Sequence, residues 1–373
     1  MSDSNNRKKI GILSMQKVIN YGSFLQAYGL RKLIKSINND SVEFIDIIPG
    51  RILEINKINK AEKIKNIFVA IKNGEFFEKI RNRIFMQKLR KQFQNDFFPL
   101  LNLNLENNKK DFSSVVIGSD EVFHCTQNAS WGFSAQLLGD VRNSQNVFSY
   151  AASFGATTYD DIKNAGVLNE VKENLSKLNA ISVRDNNSRL IVEKILGKAP
   201  ELHLDPVLLA DFEEEINLSK DVCFDEKFLI VYSYSGRIND KKEIANIKKF
   251  AEKNSLKIYT IFCQYEWSDK TLIPETPFQL LKIFRMAEYV ISDTFHGSIF
   301  SIISHKKFCT LVRDSNKEKM TSLLERFGLE AHAVFNPDDL EDKISLNIDY
   351  EHIDEIRDFE RNRSLVYLRK NLK

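Results

Sequence analysis

KIGILSMQKVINYGSFLQAYGLRKLIKSINNDSVEFIDI, residues 9–47, contains two apolar runs with a helical pattern between them, and its periodicities decide the fold class. Lys9 to Met15 reads as a strand, and Asn20-Tyr21-Gly22 as a turn. Phe24, Tyr28, Leu30, Leu33, Ile34 and Ile37 then recur at helical spacing, and Val42 to Ile47 is a second strand. Strand, loop, helix, strand opens a βαβ unit and therefore a parallel sheet.

Further along, the alternation returns. Ser114 to Ile117, Asn146 to Ala151, Ala180 to Val183 and Leu202 to Leu204 read as strands, with a helix through Leu168, Val171, Leu175 and Leu178. Asp185 suits the cap of another helix, which Gly197 and Pro200 close. Residues 211–226 carry seven acidic residues and one lysine, break the pattern, and read as a linker. A second α/β series follows. Its strands are Phe228 to Tyr234, Lys257 to Cys263, Tyr289 to Ser292 and Lys307 to Val312, with helices from Asp240 to Asn254, through Phe278 and Phe284, and from Gly297. The expected class is α/β and GT-B-like: two doubly wound Rossmann-like domains, 1–210 and 227–350, facing a central cleft, with a C-terminal helix over 351–373. Ligands of such sheets sit at the carboxyl ends of the strands.

At 373 residues the chain exceeds what one core usually organises. Its 43% hydrophobic and 28% charged residues suit an ordinary globular protein. A net charge of +3, with no nucleic-acid-binding motif, points away from nucleic acid as a partner. Cys125, Cys223, Cys263 and Cys309 are widely separated, so neither a zinc site nor a disulfide framework is indicated, and a reducing cytoplasm is the expected setting. No signal peptide is read at Met1 to Lys9, and no run is long and apolar enough to span a bilayer.

Residues 51–98 form an excursion with helical apolar spacing in two segments, and they hold twelve Lys or Arg against five Asp or Glu. A helical pair with a solvated outer face is the plain reading. The sharper one is peripheral docking on anionic lipid head groups or a pyrophosphoryl lipid carrier at the inner face of the cytoplasmic membrane.

The passage richest in candidate chemistry is Tyr289 to Ser301, where a strand ends at Ser292 and a helix begins near Gly297, with His296 at the junction. Backbone N–H groups of Gly297, Ser298 and Ile299 are expected to offer a phosphate or carboxylate site at the helix start. The helix's positive end favours neutral imidazole, and a bound anion the protonated form. A lone histidine at a strand end is equally a core residue. Arg184 stands just past a strand and can fork onto an anion, its alternative being a surface pair with Asp185. Asp120, after Gly118-Ser119, can reach the crevice as a base or hydroxyl acceptor, or simply cap a helix. Arg237 and Arg313 are further strand-end cations. His203 reads as structural, and the remaining histidines show no ligand-like spacing. Phosphate-loop, dinucleotide, serine-hydrolase and zinc-protease motifs are missing, and neither a metal nor a cofactor is called for.

Six short stretches now line up: Asn20-Tyr-Gly-Ser-Phe-Leu-Gln-Ala-Tyr28, Ile117-Gly-Ser-Asp-Glu-Val-Phe123, Ser149-Tyr-Ala-Ala-Ser-Phe-Gly155, Ser182-Val-Arg-Asp185, Leu204-Asp-Pro206 and Ser292-Asp-Thr-Phe-His-Gly297. In that order and spacing the chain, from about residue 10 to about residue 330, resembles the polysaccharide pyruvyl transferase family. The resemblance implies phosphoenolpyruvate as donor and, as acceptor, a hexose or hexosamine of a surface glycan or its lipid-linked precursor, as in exopolysaccharide and capsule biosynthesis. The product is a pyruvate ketal bridging two hydroxyls. It further implies that the first domain is the acceptor side, with Asn20, Tyr21, Ser23 and Ser119 as acceptor contacts, and the second the donor side. Arg184, Gly297, Ser298, Arg237 and Arg313 would hold the donor, and His296 and Asp120 would catalyse. Many relatives have arginine two residues before the histidine, where this chain has Thr294. One donor contact must then come from elsewhere, with Arg237 and Arg313 as candidates.

The residue types suit such chemistry. Phosphoenolpyruvate carries a carboxylate and a phosphate, so its site needs cations and N–H donors. A histidine suits protonation of the methylene carbon, and a carboxylate suits the attacking hydroxyl. A nucleotide-sugar glycosyltransferase or a non-catalytic glycan-binding protein of the same fold are the competing readings.

Overall fold

The computed structural model describes residues 8–37, 40–53, 76–103 and 105–373, with the side chains of 76–83 and 105 outside that description. Two compact units divide the chain. The first comprises Met1–Arg184, Ser188–His203 and Val366–Lys373, and the second Asp185–Asn187 and Leu204–Leu365.

Six parallel strands build the sheet of the first unit: β1 (Lys9–Leu13), β2 (Ser41–Phe44), β3 (Ser114–Asp120), β4 (Val147–Ala152), β5 (Ser182–Val183) and β6 (Glu201–Leu202), in the order β2-β1-β3-β4-β5-β6. Ile12 lies opposite Phe44 on one side and Val116 on the other. Every residue of β3 and β4 is buried, as expected for parallel strands covered on both faces. The chain goes from β1 to β2 and then crosses back to β3, so the order reverses between β1 and β3.

The second unit repeats the plan with β7 (Phe228–Tyr232), β8 (Lys257–Ile261), β9 (Lys270–Leu272), β10 (Tyr289–Ser292), β11 (Lys307–Leu311) and β12 (Ala333–Val334), in the order β12-β11-β10-β7-β8-β9. Ile291 sits opposite Val231 and Cys309. The reversal falls between β7 and β10. The short edge strands β9 and β12 escape the sequence reading because three and two residues are too few for a period.

The acidic stretch read as a linker, 211–226, lies inside the second unit and carries the helix Glu213–Leu218. Two of its charges meet basic side chains of the helix Pro277–Met286: Arg285 Nη1 donates to Glu213 at 2.9 Å and Lys282 Nζ to Asp221 at 2.7 Å. The stretch read as a linker is thus tied to a helix of the second unit.

The terminal helix spans Tyr350–Asn371. Within the second unit Arg357 Nε donates to the Leu208 carbonyl at 3.0 Å, and Arg361 bonds the Leu209 carbonyl, so both serve the last carbonyls of the helix Pro206–Leu209. Within the first unit Tyr367 donates to the Ser149 carbonyl at 2.8 Å and packs 4.6 Å from the ring of His203. His203 is buried and bonds Ser182 Oγ at 2.8 Å.

Of the excursion 51–98, residues 54–75 lie outside the described residues. A helix covers Phe76–Gln92, followed by a wider turn at Phe93–Phe97. Phe93 and Phe97 pack on Tyr21 with ring centroids 5.8 and 5.7 Å away. This end of the excursion is thereby fixed to the helix Tyr21–Lys35. Among the described residues no helix is long and apolar enough to cross a membrane.

Candidate active site

At the β1/β3 reversal of the first unit, the loop after β1 turns into the helix Tyr21–Lys35, capped by Asn20, whose Oδ1 accepts from the Gly22 and Ser23 amides at 2.7 and 3.3 Å. Capping places Ser23 in the first turn, where its hydroxyl donates to Asp120 Oδ2 at 2.9 Å. Asp120 is the last residue of β3 and has φ +69°, in the left-handed region. Aspartate tolerates that region better than most residues, but such conformations concentrate where a strand end aims a side chain at a ligand. On its other oxygen Asp120 accepts from Arg184 Nη2 at 3.3 Å, and the Arg184 side chain is only 2% exposed. Ser23, Asp120 and Arg184, far apart in sequence, therefore form one buried polar cluster.

Two acceptor assignments change here. The Tyr21 ring is buried against Phe93 and Phe97, and Ser119 is wholly buried, with its carbonyl accepting from Ser14 Oγ at 3.4 Å. Both are committed to packing. Read as part of a turn, Tyr21 gave no sign of this cover, because it comes from the excursion. The sequence reading also passed over Ser14, Gln16 and Gln26, three buried polar residues joined around the end of β1. Gln26 Nε2 donates to Ser14 Oγ at 2.7 Å, and the Ser14 amide to Gln16 Oε1 at 2.8 Å.

In the second unit, Thr294 caps the helix Phe295–Ile303 by accepting from the Gly297 amide at 3.0 Å. The Ser298 amide bonds the Thr294 carbonyl at 3.2 Å, and its hydroxyl pairs with Thr310 Oγ1 at 2.8 Å. Gly297 and Ser298 therefore do not offer the donors expected of them; the cap starts the helix two residues earlier than the sequence suggested, so the Gly297 amide is taken by the cap side chain and the Ser298 amide by the cap carbonyl. Thr294, standing where many relatives have arginine, is that cap. Gly297 has a packing role instead. A Cβ there would lie 2.0 Å from Ser292 Oγ and 2.7 Å from both Thr294 Oγ1 and Tyr232 Cδ1, two of them on the strands β10 and β7 at the reversal. Gly297→Ala is expected to destabilise by about 1–3 kcal/mol, a fall of several degrees in Tm by thermal denaturation. An unchanged Tm would contradict this close packing.

The shifted start leaves His296 in the first turn, with Nε2 3.9 Å from Asp205 Oδ2. Asp205 is fully buried, and its Oδ1 accepts from the Val207 amide at 3.0 Å. At that distance the carboxylate does not hydrogen-bond Nε2, but it is a buried countercharge for the imidazole when protonated. Leu204-Asp-Pro206 was visible as a motif, but its pairing with a histidine some ninety residues on was not.

A second charged group surrounds the β7/β10 reversal. Arg313 Nη2 bonds both oxygens of the buried Glu243 at 2.8 Å. Arg237 lies over the Tyr234 ring at 4.9 Å, with Nη1 3.8 Å from Oδ2 of Asp293. Asp293 is wholly buried; burial pushes its carboxyl up to about 6, against the pull of Arg237 and Arg313. Asn316 ties the loops together, donating to the Asp293 carbonyl at 2.8 Å and accepting from the Arg313 amide at 2.7 Å.

Among the described residues, no group of three or more His, Cys, Asp or Glu is arranged to hold a metal. Burial pushes the Cys125 thiol up to about 12 and raises Cys309 further, the opposite of what a nucleophilic thiolate needs.

The model of the family described as polysaccharide pyruvyl transferase matches residues 20–315, which includes every candidate residue above. The chain belongs to that family. A search of curated proteins found no match. Among solved structures, the glycotransferase of kitacinnamycin is similar at 10% identity and a TM-score of 0.50, covering 99% of this chain and 100% of its own. A putative UDP-N-acetylglucosamine 2-epimerase from Listeria monocytogenes is similar at 12% identity and 0.48, with 96% and 91% covered. The UDP-GlcNAc 2-epimerase from Neisseria meningitidis gives 8% and 0.47, with 96% and 94% covered. At 10% identity the likeness to the glycotransferase is one of fold, and with its two parallel sheets the polysaccharide pyruvyl transferase family member described here is an α/β protein of GT-B-like type.

Proposed function

We propose that this family member transfers the enolpyruvyl unit of phosphoenolpyruvate onto a hexose or hexosamine of a surface polysaccharide or lipid-linked oligosaccharide, forming a pyruvate ketal and releasing phosphate. The family match over residues 20–315 is the observation that carries this reading. The two polar clusters support it, because each lies at a strand-order reversal, where doubly wound sheets bind ligands.

In the proposed reaction His296 delivers a proton to the methylene carbon, while Asp120 draws the proton from the first sugar hydroxyl as it adds to C2. A methyl group and a phosphorylated hemiketal result. The second hydroxyl then displaces the phosphate, which leaves with that hydroxyl's proton. Arg184 and Arg237 hold the donor's anionic groups, since Arg313 is already engaged by Glu243. Ser23 and Asn20 remain the proposed acceptor contacts.

Phosphate release with phosphoenolpyruvate, followed by mass spectrometry of a lipid-linked acceptor panel, tests the reading. A product heavier by the pyruvate ketal supports it; turnover with a UDP- or GDP-sugar and none with phosphoenolpyruvate would instead identify a glycosyltransferase.

We also place the enzyme in the cytoplasm at the inner membrane face, on the excess of seven positive charges in residues 51–98. Each basic residue near an anionic surface contributes about 1 kcal/mol, so three or four give weak, salt-sensitive attachment. In sedimentation with liposomes at low salt, more protein is expected with anionic than with neutral vesicles, and equal recovery rules the attachment out.

A further inference from the structure

We propose that Asp293 takes up a proton when an anion binds at the β7/β10 reversal, turning from a repelling carboxylate into a hydrogen-bond donor to that anion. The proposal names a proton-linked residue within the donor site proposed above, and only the identity of the anion rests on that reading.

Charge balance carries the inference. Two arginines and two carboxylates meet here, and they neutralise one another when the site is empty of other ions. Glu243 is satisfied twice over by Arg313. Asp293 is not: neither oxygen completes a hydrogen bond, and its ion pair with Arg237 is long at 3.8 Å. The Tyr234 amide adds only a weak further pull. The carboxylate is wholly buried away from water, and Asn316 fixes the backbone it stands on by bonding the Asp293 carbonyl. The other titratable group facing it is Tyr265, whose phenol bonds Ser233 Oγ at 2.9 Å and which burial keeps protonated.

A phosphate drawn to Arg237 takes away the main countercharge of Asp293 and sets a like charge beside it. Both changes favour the neutral acid. With its carboxyl already near 6, a further rise of one to two units would leave it about half to nine-tenths protonated at pH 7, against about a tenth beforehand. The new O–H then faces an acceptor. A buried carboxyl held neutral in order to donate is a known way of stabilising an anion.

Inorganic sulfate, which does not titrate near neutrality, is the probe. Calorimetry in buffers of differing ionisation enthalpy should show wild-type protein taking up about half a proton more per sulfate at pH 7 than Asp293→Asn. Uptake by groups other than Asp293 is common to both proteins and cancels in the difference. Sulfate affinity of the wild type should fall as pH rises from 6 to 8, and Asp293→Asn should bind about ten- to fiftyfold more tightly than wild type at pH 8. A merely structural aspartate would give weaker binding in the variant instead. If Asp293→Asn does not fold, infrared difference spectra of wild-type protein with carboxyl-labelled aspartate should gain an aspartic-acid band on adding sulfate. Equal uptake in both proteins, no such band, or no sulfate binding overturns the proposal. Sulfate binding with the expected uptake, but no turnover of phosphoenolpyruvate, would sustain it while rejecting the donor.

Discussion

Arg184→Ala is expected to lower kcat/KM for phosphoenolpyruvate by about 30- to 1000-fold, the 2–4 kcal/mol that one preorganised charge contact contributes in a transition state. Arg184 follows the last residue of β5, and its amide bonds the Ala152 carbonyl at 3.1 Å, so the root of the side chain is fixed to the neighbouring strand. The complication is its pairing with Asp120. Truncating one partner of a buried ion pair leaves the other uncompensated, at a cost of about 3–5 kcal/mol. Stability and activity must therefore be measured separately. Adding Asp120→Asn to Arg184→Ala should recover much of the lost Tm, because no unpaired carboxylate remains, yet recover none of the turnover. Arg184→Lys keeps the charge without the fork and should stay well below wild type. A folded Arg184→Ala protein with near wild-type kcat/KM would exclude donor binding by this residue.

Periodicity exposed the sheets because their central strands are long and apolar on both faces. β3 and β7 could hardly have been anything else once a βαβ passage was established at residues 9–47. Strand-end logic then located Asp120, Arg184 and His296. It failed where a residue's meaning depends on something distant in the chain. Tyr21 read as part of a turn, and its packing against the distant Phe93 and Phe97 makes it a core residue. Gly297 and Ser298 resemble anion-binding amides until Thr294 is seen to cap the helix. Arg313 resembles a ligand cation until Glu243, seventy residues earlier, is seen to take its Nη2 with both carboxylate oxygens. Asp293 was the opposite case: it stood inside a quoted motif, and its neighbours in sequence gave no sign that burial would leave its carboxylate without a hydrogen bond. Local pattern reports which residues reach the end of a strand. Whether they are still available there is decided by partners elsewhere.

His296→Asn should reduce kcat by about 10²- to 10⁴-fold, the usual contribution of a positioned proton donor. The imidazole lies in the first helical turn, with its ring 6.1 Å from that of Phe300 and Nε2 3.9 Å from the buried Asp205. Asparagine keeps a hydrogen-bonding group of similar reach but cannot deliver a proton to carbon, so Tm should change little while turnover collapses. For a histidine whose part was packing, activity would instead fall in step with the soluble fraction. The pH profile separates acid catalysis from simple hydrogen bonding. As pH rises and the imidazole loses its proton, kcat at saturating donor, which a change in anion affinity leaves untouched, should decline, and that limb should be absent in His296→Asn. Asp205→Asn offers an independent check, because removing the nearby carboxylate should lower kcat about tenfold and move the limb to lower pH, the imidazolium having lost its buried countercharge. The Asp293 linkage affects anion affinity and is read in sulfate binding, so it is distinguishable from a limb that reports chemistry. Undiminished turnover by a folded His296→Asn protein would exclude both the acid and the donor role, and Asp120 or a bound water would then have to protonate the methylene carbon.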